Sequence, residues 1–301
     1  MVVLEGSGNI CSWPRIYIPE PCRGVEVVIG IDEAGRGPVL GSLLYCAAFW
    51  PATEHEAICK LGFDDSKQLK EGERDRFFDR IRNHGSIGWV IAELSAERIS
   101  QEMLRRSPMS LNALSYDAVV WMLEAIRDFK LGEPPVVTNI FIDTVGDPDY
   151  YKSWLVRHMG EEFATYIIEK KADATYKVVS AASIIAKVTR DTSIKEWAWA
   201  EACLRPRLAP AAEQHAQVQA QVPSQASTGS TDSTTTITTT TTTSTSNQSR
   251  TNPSPSPCPG LDLNFGSGYP GDENCVKWLS SAQHHVFGFP NLVRFSWSTS
   301  R

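Results

Sequence analysis

The sequence predicts an α/β fold, a mixed sheet flanked by helices. Apolar, β-branched runs of strand length recur at Val25–Ile31, Leu43–Trp50, Ile87–Ala92, Val136–Ile142 and Thr165–Ile168. Stretches with helical periodicity lie between them, which is the pattern of a sheet covered by helices. Three of the runs end in carboxylates: Asp32 and Glu33, Asp143, and Glu169 followed by Asp173.

Residues 1–24 contain Gly, Pro and Cys with no period and read as an irregular N-terminal arm. Val25–Ile31, broken only by Glu26 and Gly30, reads as a buried strand. Leu43–Trp50 reads as a second strand, paired to the first across a Gly-rich turn. Glu71–Asn83 puts Phe77, Phe78 and Ile81 on one helical face. Ile87–Ala92 is strand-like. Leu111–Phe129 is the longest helix, with Leu114, Val119, Met122, Leu123 and Ile126 as its apolar stripe. Val136–Ile142 is apolar apart from Thr138 and Asn139, and the turn residues Asp147-Pro148 follow. Ser183–Ile194 is a further helix, rich in Ala and Ile.

Near residue 205 the composition breaks. Gln, Ala and Pro give way to an almost unbroken Thr/Ser tract from Thr231 to Ser246, then to Ser-Pro repeats ending at Pro259. Such a segment cannot bury enough apolar area to offset its ordering entropy. The expected organisation is therefore the arm (1–24), a main domain (25–204), a disordered low-complexity insert (205–262) and a return to the fold (263–301).

The strand ends carry the chemistry. Asp32-Glu33 stands at the C-terminal lip of a core strand, where open α/β sheets place ligands. Two buried acids need a cation or proton to compensate them. Gly35 and Gly37 follow and free the backbone to approach a ligand. If the strands ending at Asp32, Asp143 and Glu169 are parallel, Asp32, Glu33, Asp143 and Asp173 converge on one sheet edge. An oxygen-only, carboxylate-rich setting suits hard divalent ions, and a pair of these can serve phosphoryl transfer. Plainer readings stand beside this one. Asp143 could be a turn residue, Asp173 could cap the next helix, and Glu33 could be solvated on the lip.

The stretch Gly-Ile-Asp-Glu-Ala-Gly-Arg-Gly-Pro-Val-Leu-Gly (30–41) resembles the signature of type 2 ribonucleases H, the ribonuclease HII family, and in particular the catalytic subunit of the eukaryotic heterotrimeric enzyme. The likeness continues at Asp65-Ser66-Lys67, Phe141–Gly146, Lys171–Ala174 and Val178–Asp191. It resumes after the insert at Gly266–Pro270, Val286–Pro290 and Val293–Trp297. The resemblance implies a ribonuclease H-like mixed sheet with a small helical C-terminal part. It implies cleavage of the RNA strand of RNA–DNA hybrids, and incision 5′ of single ribonucleotides embedded in duplex DNA. The products would carry a 3′-hydroxyl and a 5′-phosphate. It assigns Asp32, Glu33, Asp143 and Asp173 to two divalent ions, Mg2+ or Mn2+. It assigns Gly35, Arg36 and Gly37 to the 2′-hydroxyl, largely through backbone groups. Tyr269 would stack on the sugar 3′ to the ribonucleotide, and Lys67 would lie near the scissile phosphate.

Physical chemistry fits these roles. Telling RNA from DNA needs hydrogen-bonding groups at a 2′-hydroxyl, and an Arg in the loop can grip an adjacent phosphate. Tyr269 could equally be an aromatic wedged in a Gly-Pro turn. At position 110 family members often carry an amide, whereas this chain has Ser110, with Asn112 two residues on. The chain stops at Arg301, while eukaryotic relatives continue and use the continuation to dock two companion subunits. The resemblance thus implies a heterotrimer, and for this chain a C-terminal part that is short of the pattern.

The net charge of −6 runs against nucleic-acid binding. Two divalent ions would take it to about −2. Arg74, Arg76, Arg80 and Arg82 are interleaved with acids on one helix and read as a solvated, salt-bridged face. Lys170, Lys171, Lys177, Lys187 and Arg190, around the third acid, are the better phosphate-binding set. Seven scattered cysteines without a Cys-x-x-Cys pair argue against a zinc knot or disulfide framework. No basic segment followed by an apolar run marks a secretory signal, and no stretch reaches membrane-span length. An intracellular setting is expected, and the resemblance implies the nucleus.

Two other functions compete with a metal-dependent ribonuclease. A different two-metal nuclease is disfavoured by the Gly-Arg-Gly loop with Tyr269. A non-catalytic nucleic-acid-binding protein is disfavoured by the intact four acids. No Gly-Lys-Ser/Thr follows the glycines, which excludes a P-loop.

Overall fold

The computed structural model describes residues 15–63, 71–197, 264–283 and 288–300. The chain divides into two units, residues 1–198 with 262–301, and residues 199–261. The second unit, which holds most of the low-complexity insert, lies outside the described residues, as does the segment containing Lys67.

Six strands form one mixed sheet in the order β1-β4-β3-β2-β5-β6. They are β1 (Ile16–Tyr17), β2 (Glu26–Ala34), β3 (Leu43–Pro51), β4 (Gly88–Leu94), β5 (Val136–Asp143) and β6 (Thr165–Glu169). β2, β5 and β6 run parallel, and β2, β3, β4 and β1 pair antiparallel. The parallel arrangement on which convergence of the acids depends is therefore present. β3 sits inside the sheet with both faces covered, so all its residues are buried. This is why its sequence is a continuous apolar run rather than an alternation.

Eight α-helices are described: α1 (His55–Cys59), α2 (Glu71–Asn83), α3 (Ala96–Leu104), α4 (Leu111–Arg127), α5 (Pro148–Met159), α6 (Ala172–Thr175), α7 (Lys177–Lys195) and α8 (Glu273–Ala282). One face of the sheet packs against α4 and α5 through Val27, Ile29, Ile31 and Tyr45. The other packs against α7 through Val28, Leu44, Cys46 and Trp50. Gly30 interrupts the β2 run because α7 lies directly on it. A Cβ there would stand 2.2 Å from the Val178 carbonyl carbon.

Several elements differ from the sequence reading. β2 extends through Asp32 and Glu33 to Ala34, because β3 goes on pairing it after β5 has ended at Ile31↔Ile142. α7 begins six residues earlier than Ser183. Its Val178–Ser183 segment is buried on every side and so shows no amphipathic period. Asp147-Pro148 is not only a turn. Asp147 caps α5 by accepting from Tyr150 N at 2.8 Å, and Pro148 is its first residue. The arm before residue 25 is irregular only in part. Ile16 and Tyr17 pair with Val90 and Trp89, and Ile18 and Cys22 are buried. A two-residue strand is too short to leave a pattern.

Candidate active site

The site grows from the alternation of side chains along β2. Asp32, opposite Cys46, faces α7, and Glu33, opposite Tyr45, faces α4. Asp143 ends β5 one residue past the Ile31↔Ile142 pair, which puts it level with Asp32. Asp173 opens α6 after a turn in which Lys171 takes a left-handed conformation, φ 61°. Carboxylate oxygens of Asp32, Asp143 and Asp173 all lie within 4.8 Å of one another. Three of the four predicted acids thus form one cluster. Glu33 stands beside it on the other side of the strand, close enough to feel the charges of Asp32 and Asp143.

Asp143 also serves the plainer role. Its Oδ1 accepts from the backbone amides of Lys171 at 2.8 Å and Ala172 at 3.3 Å, which ties β5 to the start of α6. Asp173 does not cap by its side chain. Its backbone carbonyl accepts from Ser180 Oγ at 2.6 Å. On α7, Lys187 Nζ donates to Ser183 Oγ at 2.8 Å, and Ser183 in turn bonds the Asp32 carboxylate.

Burial holds the Asp32 carboxyl well above the usual carboxylate range, against the opposing pull of Ser183 and Lys187. Glu33 is raised for the same reason, and then by the charges of Asp32 and Asp143. Glu33 Oε2 is buried and accepts no hydrogen bond among the described residues. A cluster of oxygen donors that resists ionisation, beside a buried unsatisfied oxygen, fits a hard divalent cation as its missing counter-charge.

A cavity of about 360 Å³ opens next to the acids. It is lined by Glu33, Gly35, Arg36, Gly37 and Tyr269 with Arg74, Lys187 and Arg190. Gly35 has φ +87°, and a Cβ there would meet Arg190 Nε at 2.4 Å and the Ser42 carbonyl at 2.6 Å. Gly37 lies under Tyr269, whose ring would be 2.9 Å from an added Cβ. The Tyr269 ring is half exposed and faces the cavity, in a loop held by Val39 N donating to Gly268 O at 2.8 Å.

The Arg36 guanidinium turns to α4. It donates to Ser115 Oγ at 3.0 Å and to Asn112 Oδ1. Ser110 caps α4 through Ala113 N, so the amide that holds the loop is Asn112. The expected phosphate grip of Arg36 is thereby displaced onto the basic residues that line the cavity. One of these is Arg74, from the helix read as a solvated face. It reaches Asp191 at 3.7 Å and points into the site. Interleaved acids on α2 concealed it, because only the packing of α2 beside α7 brings Arg74 over the cavity. Lys170, Lys171 and Lys177 do not line that cavity, whereas Lys187 and Arg190 do. Sequence reasoning also passed over Arg294, which is fully buried beneath the loop.

The family model for Ribonuclease HII matches residues 29–204. The chain belongs to the ribonuclease HII family. It is 33% identical over 291 residues to the A chain of the Arabidopsis thaliana ribonuclease H2, covering 96% of this chain and 75% of that protein. It is 33% identical over 284 residues to the corresponding protein of Homo sapiens, covering 94% and 75%. The crystal structure of ribonuclease H2 from Pyrococcus horikoshii superposes with a TM-score of 0.59 at 28% identity, covering 91% of this chain and 95% of that one. As a ribonuclease HII the chain is a type 2 ribonuclease H, a phosphodiester hydrolase with endoribonuclease activity on RNA–DNA hybrids that uses divalent metal. The mixed sheet with helices on both faces is the fold of the Pyrococcus horikoshii relative.

Proposed function

We propose that this chain hydrolyses the RNA strand of RNA–DNA hybrids and also incises 5′ of single ribonucleotides embedded in duplex DNA, leaving a 3′-hydroxyl and a 5′-phosphate. The observation that carries this reading is a single cavity holding the edge of a buried carboxylate cluster, a positive-φ Gly-Arg-Gly loop and the ring of Tyr269. Asp32, Glu33, Asp143 and Asp173 would hold two divalent ions, Mg2+ or Mn2+. When bound, such ions activate a water and stabilise a leaving oxygen.

The chain's own residues do the rest. Gly35, Arg36 and Gly37 offer backbone groups to the 2′-hydroxyl, the one feature that separates ribose from deoxyribose. Tyr269 stacks on the sugar 3′ to the ribonucleotide. Arg74, Lys187 and Arg190 supply positive charge to the phosphates. Lys67 is assigned near the scissile phosphate on the resemblance alone. The curated relatives are each named as one subunit of ribonuclease H2, which supports assembly with two companion subunits. Action on genomic duplexes implies the nucleus. The low-complexity insert is read as a surface loop outside this machinery.

The test is incubation of the purified chain with a duplex carrying one ribonucleotide, with and without Mg2+. Incision on the 5′ side of the ribonucleotide, dependent on the ion, is expected. Equal cutting of an all-DNA duplex, or no cutting with Mg2+ or Mn2+, would overturn the proposal.

A further inference from the structure

Arg294 is a fully buried cation in the C-terminal segment. Its Nε donates to Gly41 O at 2.8 Å, its NH1 to Arg36 O at 3.2 Å and its NH2 to Gly35 O at 2.6 Å. The guanidinium carbon lies 4.8 Å from the centroid of the Trp297 ring. That ring's Nε1 donates in turn to Gly37 O at 3.1 Å. Burying a guanidinium is costly. Charge-assisted bonds to three carbonyls and an aromatic face offset the cost. The fork geometry reaches separate acceptors at once, which an ammonium cannot do.

The peptide unit turns this packing into recognition. In a trans peptide the carbonyl of one residue and the N–H of the next point to opposite sides. Drawing Gly35 O and Arg36 O down onto Arg294 therefore points the Arg36 and Gly37 amides the other way. That side is the cavity, which Gly35, Arg36 and Gly37 line and Arg294 does not. Neither amide has a hydrogen-bond partner among the described residues. The third inward carbonyl, Gly37 O, precedes Pro38, which has no N–H to present. A cation on the carbonyls also polarises the linked peptide groups and strengthens their N–H donors.

We infer that Arg294, with Trp297, is a positioning residue for ribose recognition: it fixes the polarity of the Gly35–Gly37 loop so that two amides face the substrate as donors to a 2′-hydroxyl oxygen. The inference rests on the ribonucleotide-cleaving reading above and assigns a device to it. Arg294 touches no substrate. Its backbone N donates to Val39 O at 2.8 Å, and Val39 N donates to Gly268 O at 2.8 Å, so the same segment also registers the Tyr269 loop against the reading loop.

The test uses the full chain in an Asp143→Asn background, so that binding is read without cleavage. Affinities with Mg2+ are measured for a duplex carrying one ribonucleotide and for the all-DNA duplex of the same sequence. Adding Arg294→Lys should leave all-DNA affinity unchanged and shrink the preference for the ribonucleotide about tenfold, the scale of one charge-assisted hydrogen bond. Adding Trp297→Phe keeps a ring under the guanidinium and removes only the donor to Gly37, and should shrink the preference about threefold. A purely structural role would lower both affinities together or neither. If the parent prefers the ribonucleotide and every folded variant keeps that preference, the inference about Arg294 is wrong and the functional reading stands. If the parent shows no preference, the functional reading fails and takes the inference with it.

Discussion

Gly35→Ala tests whether the reading loop has any slack. Gly35 sits at φ +87°, a conformation L side chains rarely adopt. Its Cβ position lies 2.6 Å from the Ser42 carbonyl and 2.4 Å from Arg190 Nε. The arginine has a long side chain, but it is itself buried and cannot swing away freely. The carbonyl is backbone and cannot give without moving the start of β3. The conformational strain alone is worth about 1–3 kcal/mol, and overpacking adds about 1–3 more. We expect a net loss of about 2–4 kcal/mol. For a domain of this size each kcal/mol shifts Tm by about 2–4 °C, so Tm should fall by roughly 5–15 °C. The loop should move by about an ångström, a displacement that can cost about a hundredfold. The assay pairs a thermal melt with kcat/KM on the single-ribonucleotide duplex, measured well below the variant's Tm. A melt within about 2 °C of wild type and kcat/KM within about threefold would refute the claim that this backbone is held rigid.

Asp32→Asn and Asp143→Asn should each remove activity by on the order of a thousandfold or more while the protein stays folded; a folded variant keeping a tenth of the activity would show that the cluster is not the site. Mg2+ or Mn2+ should raise the Tm of the wild type, since an ion bound only by the folded state stabilises it, and Asp32→Asn should lose most of that shift; equal shifts in both would place the ion elsewhere. Tyr269→Ala should lower kcat/KM more at an isolated ribonucleotide than within an all-RNA hybrid strand, because a deoxyribose 3′ to the cut presents the flatter apolar face to the ring; an unchanged ratio of the two substrates returns Tyr269 to simple packing. Deleting residues 210–258 should change neither activity nor Tm appreciably, since long surface insertions close at small entropic cost; a large fall in Tm would place the insert in the fold. Asp272 accepts from Ser267 N and Oγ and from Asn274 N, which depress its pKa to about 2. Its contribution to stability is present above the unfolded carboxylate pKa of about 4 and is lost as pH falls towards 2. The Tm gap between wild type and Asp272→Ala should therefore narrow over that window, and a constant gap would argue against the carboxylate.

Strand positions and the carboxylate at each strand end were determined locally. A run such as Leu43–Trp50 is buried on both faces, so its own composition declares it. Asp32, Glu33 and Asp143 stand out because charged groups at the end of apolar runs are costly without a purpose. The Gly-Arg-Gly loop was legible because glycine is needed where φ is positive or where a ring packs on the backbone, as at Gly35 and Gly37. What the sequence could not decide depended on partners distant along the chain. The pairing of β2 with β5 brings together acids more than a hundred residues apart, while alternation sends Glu33 to the other face from Asp32. Asn112, rather than Ser110, holds Arg36 because Ser110 is used as a helix cap. Arg74 looked solvated until the packing of α2 placed it over the cavity. Arg294 gave no local sign of its role, since a buried arginine is defined by its acceptors. Those acceptors are carbonyls some 250 residues earlier in the chain, and only the closed tertiary structure brings them within hydrogen-bonding reach.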